Sequence, residues 1–221
     1  MSAILLPHGS ASKPKLYIQS DGNQYINTGY KTNINTSIII HGEFTDYIEE
    51  QTIYGAGDDT FGGMCLDLKY DGKSNKVYGG IIAHSYFEFS DNFLVTEKEF
   101  LAYGYYDGYF SGNYHTHEYI MIGEGAFGSK GRADGKVVLG SISSTSRPLY
   151  IFARNNNGIA DRHSRIKLYY MAIQEWSDSG IKRIKEYIPT VDTNGVACLY
   201  DTINHQYAYN AGTGQFICGI G

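Results

Sequence analysis

The sequence predicts an all-β chain folded as an antiparallel two-sheet jelly-roll sandwich with a short N-terminal arm. Composition is the first reason. Charged residues make up only 19% of the 221 residues, aromatic residues make up 14%, and Gly contributes 27. Tyr packs well on a half-buried pleated surface, and Gly supplies turn dihedrals. A helical chain would draw more on Ala, Leu, Glu and Lys. The second reason is pattern: short β-branched and aromatic runs recur at fairly even spacing, with Gly-containing turns between them. The third is the lack of any amphipathic helix longer than ~10 residues, which is below the usual helix mean.

Taken in order, residues 1–15 contain Pro7, Gly9, Ser10, Ser12 and Pro14 without any period, and read as an arm that is either loose or docked on a partner. Residues 16–221 read as one sandwich domain. Strands over 16–20 and 24–28 flank the turn pair Asp21-Gly22 and predict a hairpin. Residues 36–44 form a strongly β-branched strand, followed by strands over 51–55 and 64–70. Asp71-Gly72 turns the chain into a strand over 76–83. Further strands are predicted near 86–89, 99–106, 118–122 and 136–140, with Asp107-Gly108 and Asp134-Gly135 as turn pairs. Residues 149–154 are continuously apolar before Arg154, as in a strand inside a sandwich, and 165–176 is the longest strand-like stretch. A turn or two of helix is predicted around 179–185. Near the end, Leu199-Tyr200-Asp201 and Tyr207-Ala208-Tyr209-Asn210 form a hairpin, after which Gly212 and Gly214 return Phe216 to the core.

Several function classes are disfavoured. The net charge of −5, from 18 basic and 23 acidic residues, argues against nucleic acid or an anionic membrane as the main partner. The basic run Lys182-Arg183-Ile184-Lys185 is interrupted by an apolar residue and reads as the solvent face of one element. Cys65, Cys198 and Cys218 have no CxxC spacing and read as buried free thiols, which points to folding in a reducing cytosol. The first residues lack a basic n-region and predict no signal peptide. No segment approaches the ~18 apolar residues of a spanning helix, so no membrane insertion is expected.

Two stretches carry a family likeness. One runs Tyr17-Ile-Gln-Ser-Asp-Gly-Asn-Gln-Tyr-Ile-Asn-Thr-Gly-Tyr30, followed by Asn35-Thr36 and a strand. The other runs from Leu149-Tyr150-Ile151-Phe152-Ala153-Arg154-Asn155 to Asn210-Ala211-Gly212-Thr213-Gly214-Gln215-Phe216, through Tyr187-Ile188-Pro189 and Leu199-Tyr200-Asp201. The chain resembles the concanavalin A-like lectin/glucanase, or laminin-G-like, domains of tailed-phage virion proteins and gut-bacterial surface proteins. The likeness spans roughly 16–221 and is dense only at the two ends. The resemblance implies a lectin-like jelly roll whose closing motif is scaffold rather than site. It also implies a virion location after synthesis in the bacterial cytoplasm. The arm would meet other virion proteins, and a homo-oligomer is expected.

The same fold houses glucanases, so catalysis is weighed directly. Retaining glycosidases hold two carboxyl groups about 5–5.5 Å apart, which on a strand calls for same-face spacing such as Glu-x-Asp-x-Glu. That motif does not occur. Glu97 and Glu99 are the nearest pair, but Lys98 lies between them in what reads as a solvated edge. No Gly-x-Ser-x-Gly elbow supports acyl transfer. No catalytic residue is assigned and no enzyme is expected. His115 and His117 have same-face spacing but no evident third ligand, and read as polar surface residues. Lectin-like domains often bind calcium in loops. Asp58 and Asp59, after Gly55-Ala56-Gly57, offer hard oxygen ligands to calcium or else form a hydrated turn.

The binding candidates lie in the Tyr-rich middle: Tyr105, Tyr106, Asp107, Tyr109, Asn113 and His115. Aromatic faces stack on sugars and short polar groups read hydroxyls. The same palette suits a protein partner or an ordinary Tyr-rich sheet. The expected role is attachment to a host-surface glycan or protein by a non-catalytic tail, fibre or capsid-decorating module. A purely structural decoration protein and a glycan hydrolase are the alternatives.

Overall fold

The computed structural model describes the backbone of residues 15–33, 35–46, 50–57, 64–70, 75–81, 85–88, 99–110, 113–122, 132–139 and 146–221. Side chains are described for 15–33, 35–46, 50–57, 100 and 146–221. Among these residues there are eighteen strands and no helix. Ten strands build one sheet: β1 (Leu16–Gln19), β3 (Thr36–Phe44), β8 (Glu99–Phe110), β9 (Asn113–Ile122), β10 (Arg132–Leu139), β14 (Ile166–Ser177), β15 (Gly180–Val191), β16 (Ala197–Asp201), β17 (Gln206–Ala208) and β18 (Ile217–Ile220). Their order is β10-β9-β8-β3-β14-β15-β16-β17, with β1 beside β14 and β18 beside β1. The other eight are β2 (Ile26–Lys31), β4 (Glu50–Gly57), β5 (Met64–Tyr70), β6 (Asn75–Ile81), β7 (Ser85–Glu88), β11 (Pro148–Ile151), β12 (Arg154–Asn156) and β13 (Ile159–Asp161). They run β13-β12-β4-β5-β6-β7, with β11 bridging β2 and β4. Every pairing is antiparallel except β12 with β4. This is the all-β, two-sheet antiparallel sandwich that composition and spacing predict.

The core lies between the sheets and follows the two-residue period of the strands. One side contributes Ile38, Ile40 and Phe44 of β3, Ile166, Leu168, Met171 and Ile173 of β14, and Tyr187 and Leu199. The other contributes Ile26, Ile53, Tyr54, Leu149 and Ile151. In β14 the buried positions step from Leu168 to Met171 because a bulge shifts the register against β3 between Leu168 and Tyr170. Phe44 meets Phe100 at 4.6 Å between ring centroids, and Phe152 meets Phe216 at 5.0 Å. Each fully buried aliphatic side chain contributes about 1.5–3 kcal/mol. Phe216 does return to the core. Gly214 supplies a positive φ of 70° there, whereas Gly212 is required for space: a Cβ on it would lie 2.2 Å from the Asn23 carbonyl.

Several local expectations are corrected. β1 and β2 are not a hairpin, because β1 pairs with β14 and β18 while β2 pairs with β11 in the other sheet. The Asp21-Gly22 turn instead carries the chain between sheets. The buried Gln24 Oε1 accepts from the Asp21 N–H at 2.9 Å and the Ser20 hydroxyl at 3.1 Å. Asp107-Gly108 is no turn but sits in the register shift between Tyr106 and Tyr109 inside β8, and the chain reverses between Phe110 and Asn113. Asp134-Gly135 lies within β10, paired with Tyr119 and Glu118. The helical turn around 179–185 is strand β15, because Gly180 at φ 115° closes a tight β14–β15 hairpin. The predicted strand 149–154 is broken at Phe152, whose φ is 68°, and resumes as β12. Asp71-Gly72 lies outside the described residues, though β5 and β6 pair on either side of it, Tyr70 opposite Asn75. Cys198 is free and buried, and burial pushes its thiol up to about 11. Cys218 is only partly buried, and the Cys65 side chain lies outside the described set.

Candidate functional site

The six binding candidates fall on adjacent strands. Tyr105, Tyr106, Asp107 and Tyr109 belong to β8, and Asn113 and His115 to β9. The register sets Tyr105 opposite His117, Tyr106 opposite Thr116 and Tyr109 opposite Tyr114. On its other side β8 pairs with β3, Tyr105 opposite Ser37, while His115 pairs across to Val138 of β10. The ladder therefore gathers the candidates at one end of the larger sheet. Asp58, Asp59 and Glu97 lie outside the described residues. Glu99 opens β8 opposite Glu43. Among the described residues no group of three or more His, Cys, Asp or Glu side chains is arranged to hold a metal ion.

The opposite end of that sheet carries a second aromatic group, which the sequence reading places in the scaffold. β16 and β17 pair with Tyr200 opposite Tyr207, while Ile188 of β15 lies on the other side of Tyr200. Leu199 points to the core, so alternation turns Tyr200, Ile188 and Tyr207 outward. Tyr200 and Tyr207 lie 5.2 Å apart between centroids, and Tyr207 and Tyr209 lie 6.0 Å apart. Tyr207 and Tyr209 are 46% and 45% exposed. Their ends are tethered: the Tyr209 hydroxyl donates to Asp192 Oδ2 at 2.9 Å, and the Tyr200 hydroxyl lies 3.3 Å from His205 Nδ1.

A buried carboxylate fixes the turn that joins these strands. Asp201 Oδ1 accepts from the backbone N–H groups of Ile203 at 3.1 Å and of Asn204 and Glu186 at 3.3 Å. Its Oδ2 accepts from Asn204 Nδ2 at 2.8 Å and Lys185 Nζ at 3.3 Å. Burial pushes this acid up, but the hydrogen bonds from Asn204, Glu186 and Ile203 outweigh it and leave it below the ordinary carboxylate range. The fourth turn residue, His205, sits at φ 55°, a left-handed position His tolerates better than most residues. Beside the turn, Glu186 accepts from Thr202 Oγ1 at 2.6 Å, from the Tyr170 hydroxyl at 2.7 Å and from Arg183. Burial raises Glu186 too, and these donors overcome it, so the acid lies low.

Asp192 closes the group at the β15–β16 turn. Its Oδ1 accepts from Val196 N at 2.8 Å and Asn194 N at 2.9 Å. The bond from Val196 and then the one from Tyr209 hold Asp192 below its usual range, and the same contact raises the Tyr209 hydroxyl. A signal for this face exists in the sequence: Tyr200, Tyr207 and Tyr209 are aromatic at positions that a closing hairpin does not require to be so. The signal is legible only once Leu199 and Phe216 are known to fill the core.

No protein-family model matches the chain, and no curated protein matches it in sequence. In structure it is similar to a proposed carbohydrate-binding protein from Bacteroides ovatus, with a TM-score of 0.60 and 13% sequence identity. The match covers 94% of this chain, which spans 60% of the length of that protein. At that identity the two share a fold: a sandwich of curled antiparallel sheets compatible with a jelly roll.

Proposed function

We propose that this chain is a non-catalytic glycan-binding module, carried on a phage virion for attachment to the host surface. The observation that carries the reading is the fold likeness over 94% of the chain to a proposed carbohydrate-binding protein. Two Tyr-bearing regions, on β8–β9 and on β16–β17, support it, because ring faces stack on sugars while hydroxyl, amide and carboxylate groups read their hydroxyls. The virion setting rests on the resemblance of the two end motifs. In this reading Tyr105, Tyr106, Asp107, Tyr109, Asn113 and His115 contact the ligand, and Asp58 and Asp59 hold calcium where the ion is needed.

The test is binding of the purified full chain to an array of bacterial-surface, animal and plant glycans, with calcium and with chelator. Saturable binding to a defined sugar class is expected, with no release of shorter sugars from the bound glycan on prolonged incubation. Silence across the array from a protein with an intact thermal transition overturns the reading. Release of products moves the chain to the hydrolases.

A further inference from the structure

The outward face of the C-terminal hairpin offers three rings, two of them with their hydroxyl ends engaged. The Tyr209 hydroxyl is spent on Asp192 and the Tyr200 hydroxyl on His205. Tyr207 and Tyr209 are each nearly half exposed; Tyr207 lies across the β16–β17 ladder from Tyr200 at 5.2 Å between centroids, and Tyr209 lies two residues further along the chain at 6.0 Å, the successive rings tilted by 55° and 38°. Ile188, 40% exposed, pairs beside Tyr200 on β15, so Ile188, Tyr200 and Tyr207 form a row across three strands. The strip is also rigid. Asp201 fixes the turn through five donors, and the backbone pairing of β15, β16 and β17 fixes the strands.

Charge narrows the ligand. Asp192, half-buried beside Tyr209, accepts from the backbone of Asn194 and Val196, from Asn194 Nδ2 and from the Tyr209 hydroxyl, all neutral donors. On the neighbouring strand Arg183 is committed to Glu186 and Lys185 to the buried Asp201, and Lys182 lies opposite Glu175 at the end of the strand far from Asp192. An acidic sugar here would face a carboxylate to which no cation of the described residues is paired. A purely apolar partner would strip water from the Asp192 carboxylate and the His205 ring and offer neither a polar contact.

We propose that Tyr200, Tyr207 and Tyr209 form a stacking platform for an uncharged polysaccharide chain, with His205 hydrogen-bonding its hydroxyls. The inference rests on the glycan-binding reading and adds to it a place, remote from Tyr105 and Tyr109 in strand order, and a charge class.

Three forms of the full chain separate the two ideas on one array of neutral and acidic polysaccharides: wild type, Tyr207→Ala/Tyr209→Ala and Tyr105→Ala/Tyr109→Ala. The hairpin tyrosines are exposed, so the first variant is expected to keep its thermal transition. Tyr207→Phe/Tyr209→Phe keeps the rings and guards against a folding artefact. The expected result is wild-type binding to neutral polysaccharide, weakened about tenfold or more by the alanine pair and retained by the phenylalanine pair. Binding unaffected by the hairpin alanines, or confined to acidic polysaccharides, overturns this inference and leaves the glycan reading standing. No binding by wild type overturns both.

Discussion

The Asp201 carboxylate is 2% exposed and satisfies three backbone N–H groups, one amide and one ammonium. Removing it leaves those donors without their partner in a part-buried turn. Asp201→Ala is therefore expected to destabilise the chain by about 2–4 kcal/mol, measured by urea unfolding. Acid should act in the same direction. Asp201 and Glu186 are held below their ordinary values in the folded state, so their contribution is present above about pH 4.5 and is lost as pH falls through the folded values. His163 adds an earlier step. Burial lowers it, against an opposing push from Asp161, so it resists protonation and stability begins to fall below its ordinary value of 6.5. Unfolding free energy followed from pH 8 to pH 3 should decline in two stages, and His163→Gln should remove the upper one. A single late decline, unaltered by His163→Gln, would show that burial does not perturb this ring.

β3 is legible in the sequence as a β-branched run, buried on both faces from Thr36 to Ile40, and β14 by the alternation at its start, where Ile166 and Leu168 are buried and Lys167 is not. Turns were read less well. Asp-Gly states that the backbone can reverse, yet Asp134-Gly135 lies in mid-strand, where pairing to β9 outweighs its local preference. The Gly180 hairpin is hidden in the sequence because Lys182, Arg183 and Lys185 look helical in spacing, and the Arg183–Glu186 pair is itself three residues apart; only the Lys185–Asp201 pair depends on the neighbouring strand. The C-terminal loop shows how a glycine can matter for space alone. Gly212 lies against the Asn23 backbone, and Asn210 clamps the loop by accepting from Tyr25 N and Gly212 N. Gly212→Ala is expected to cost about 1–3 kcal/mol and to lower the thermal midpoint. The same change at Gly42 meets the Lys167 carbonyl at 2.7 Å and Phe100 at 2.8 Å, and should also destabilise β3. Gly29, with open space around it but a φ of 68°, should suffer only the dihedral strain of an added Cβ.

Across the molecule, the pairings that define the fold join distant parts of the chain. β3 at residues 36–44 pairs with β14 at 166–177, and β1 pairs with β18 at the C-terminus. Such non-local contacts make chain closure the slow step, so refolding is expected on the millisecond-to-second scale or slower, followed by stopped-flow fluorescence of Trp176. The binding candidates are legible as a composition rather than as a place. Tyr105 to His115 share a ladder, and Tyr200, Tyr207 and Tyr209 share the closing hairpin, as their closeness in sequence suggests in both cases, whereas Ile188 joins the second group only because β15 lies beside β16. The pairing of β1 with β18 ends in two reciprocal backbone hydrogen bonds between Lys15 and Gly221, each 2.9 Å. Where those residues meet, the chain enters and leaves the sandwich through one doorway. A protein engineer could therefore graft residues 15–221 into a surface loop of an unrelated carrier with little closure entropy to overcome, and the sandwich would stand on that carrier like a lamp on a two-wire stem.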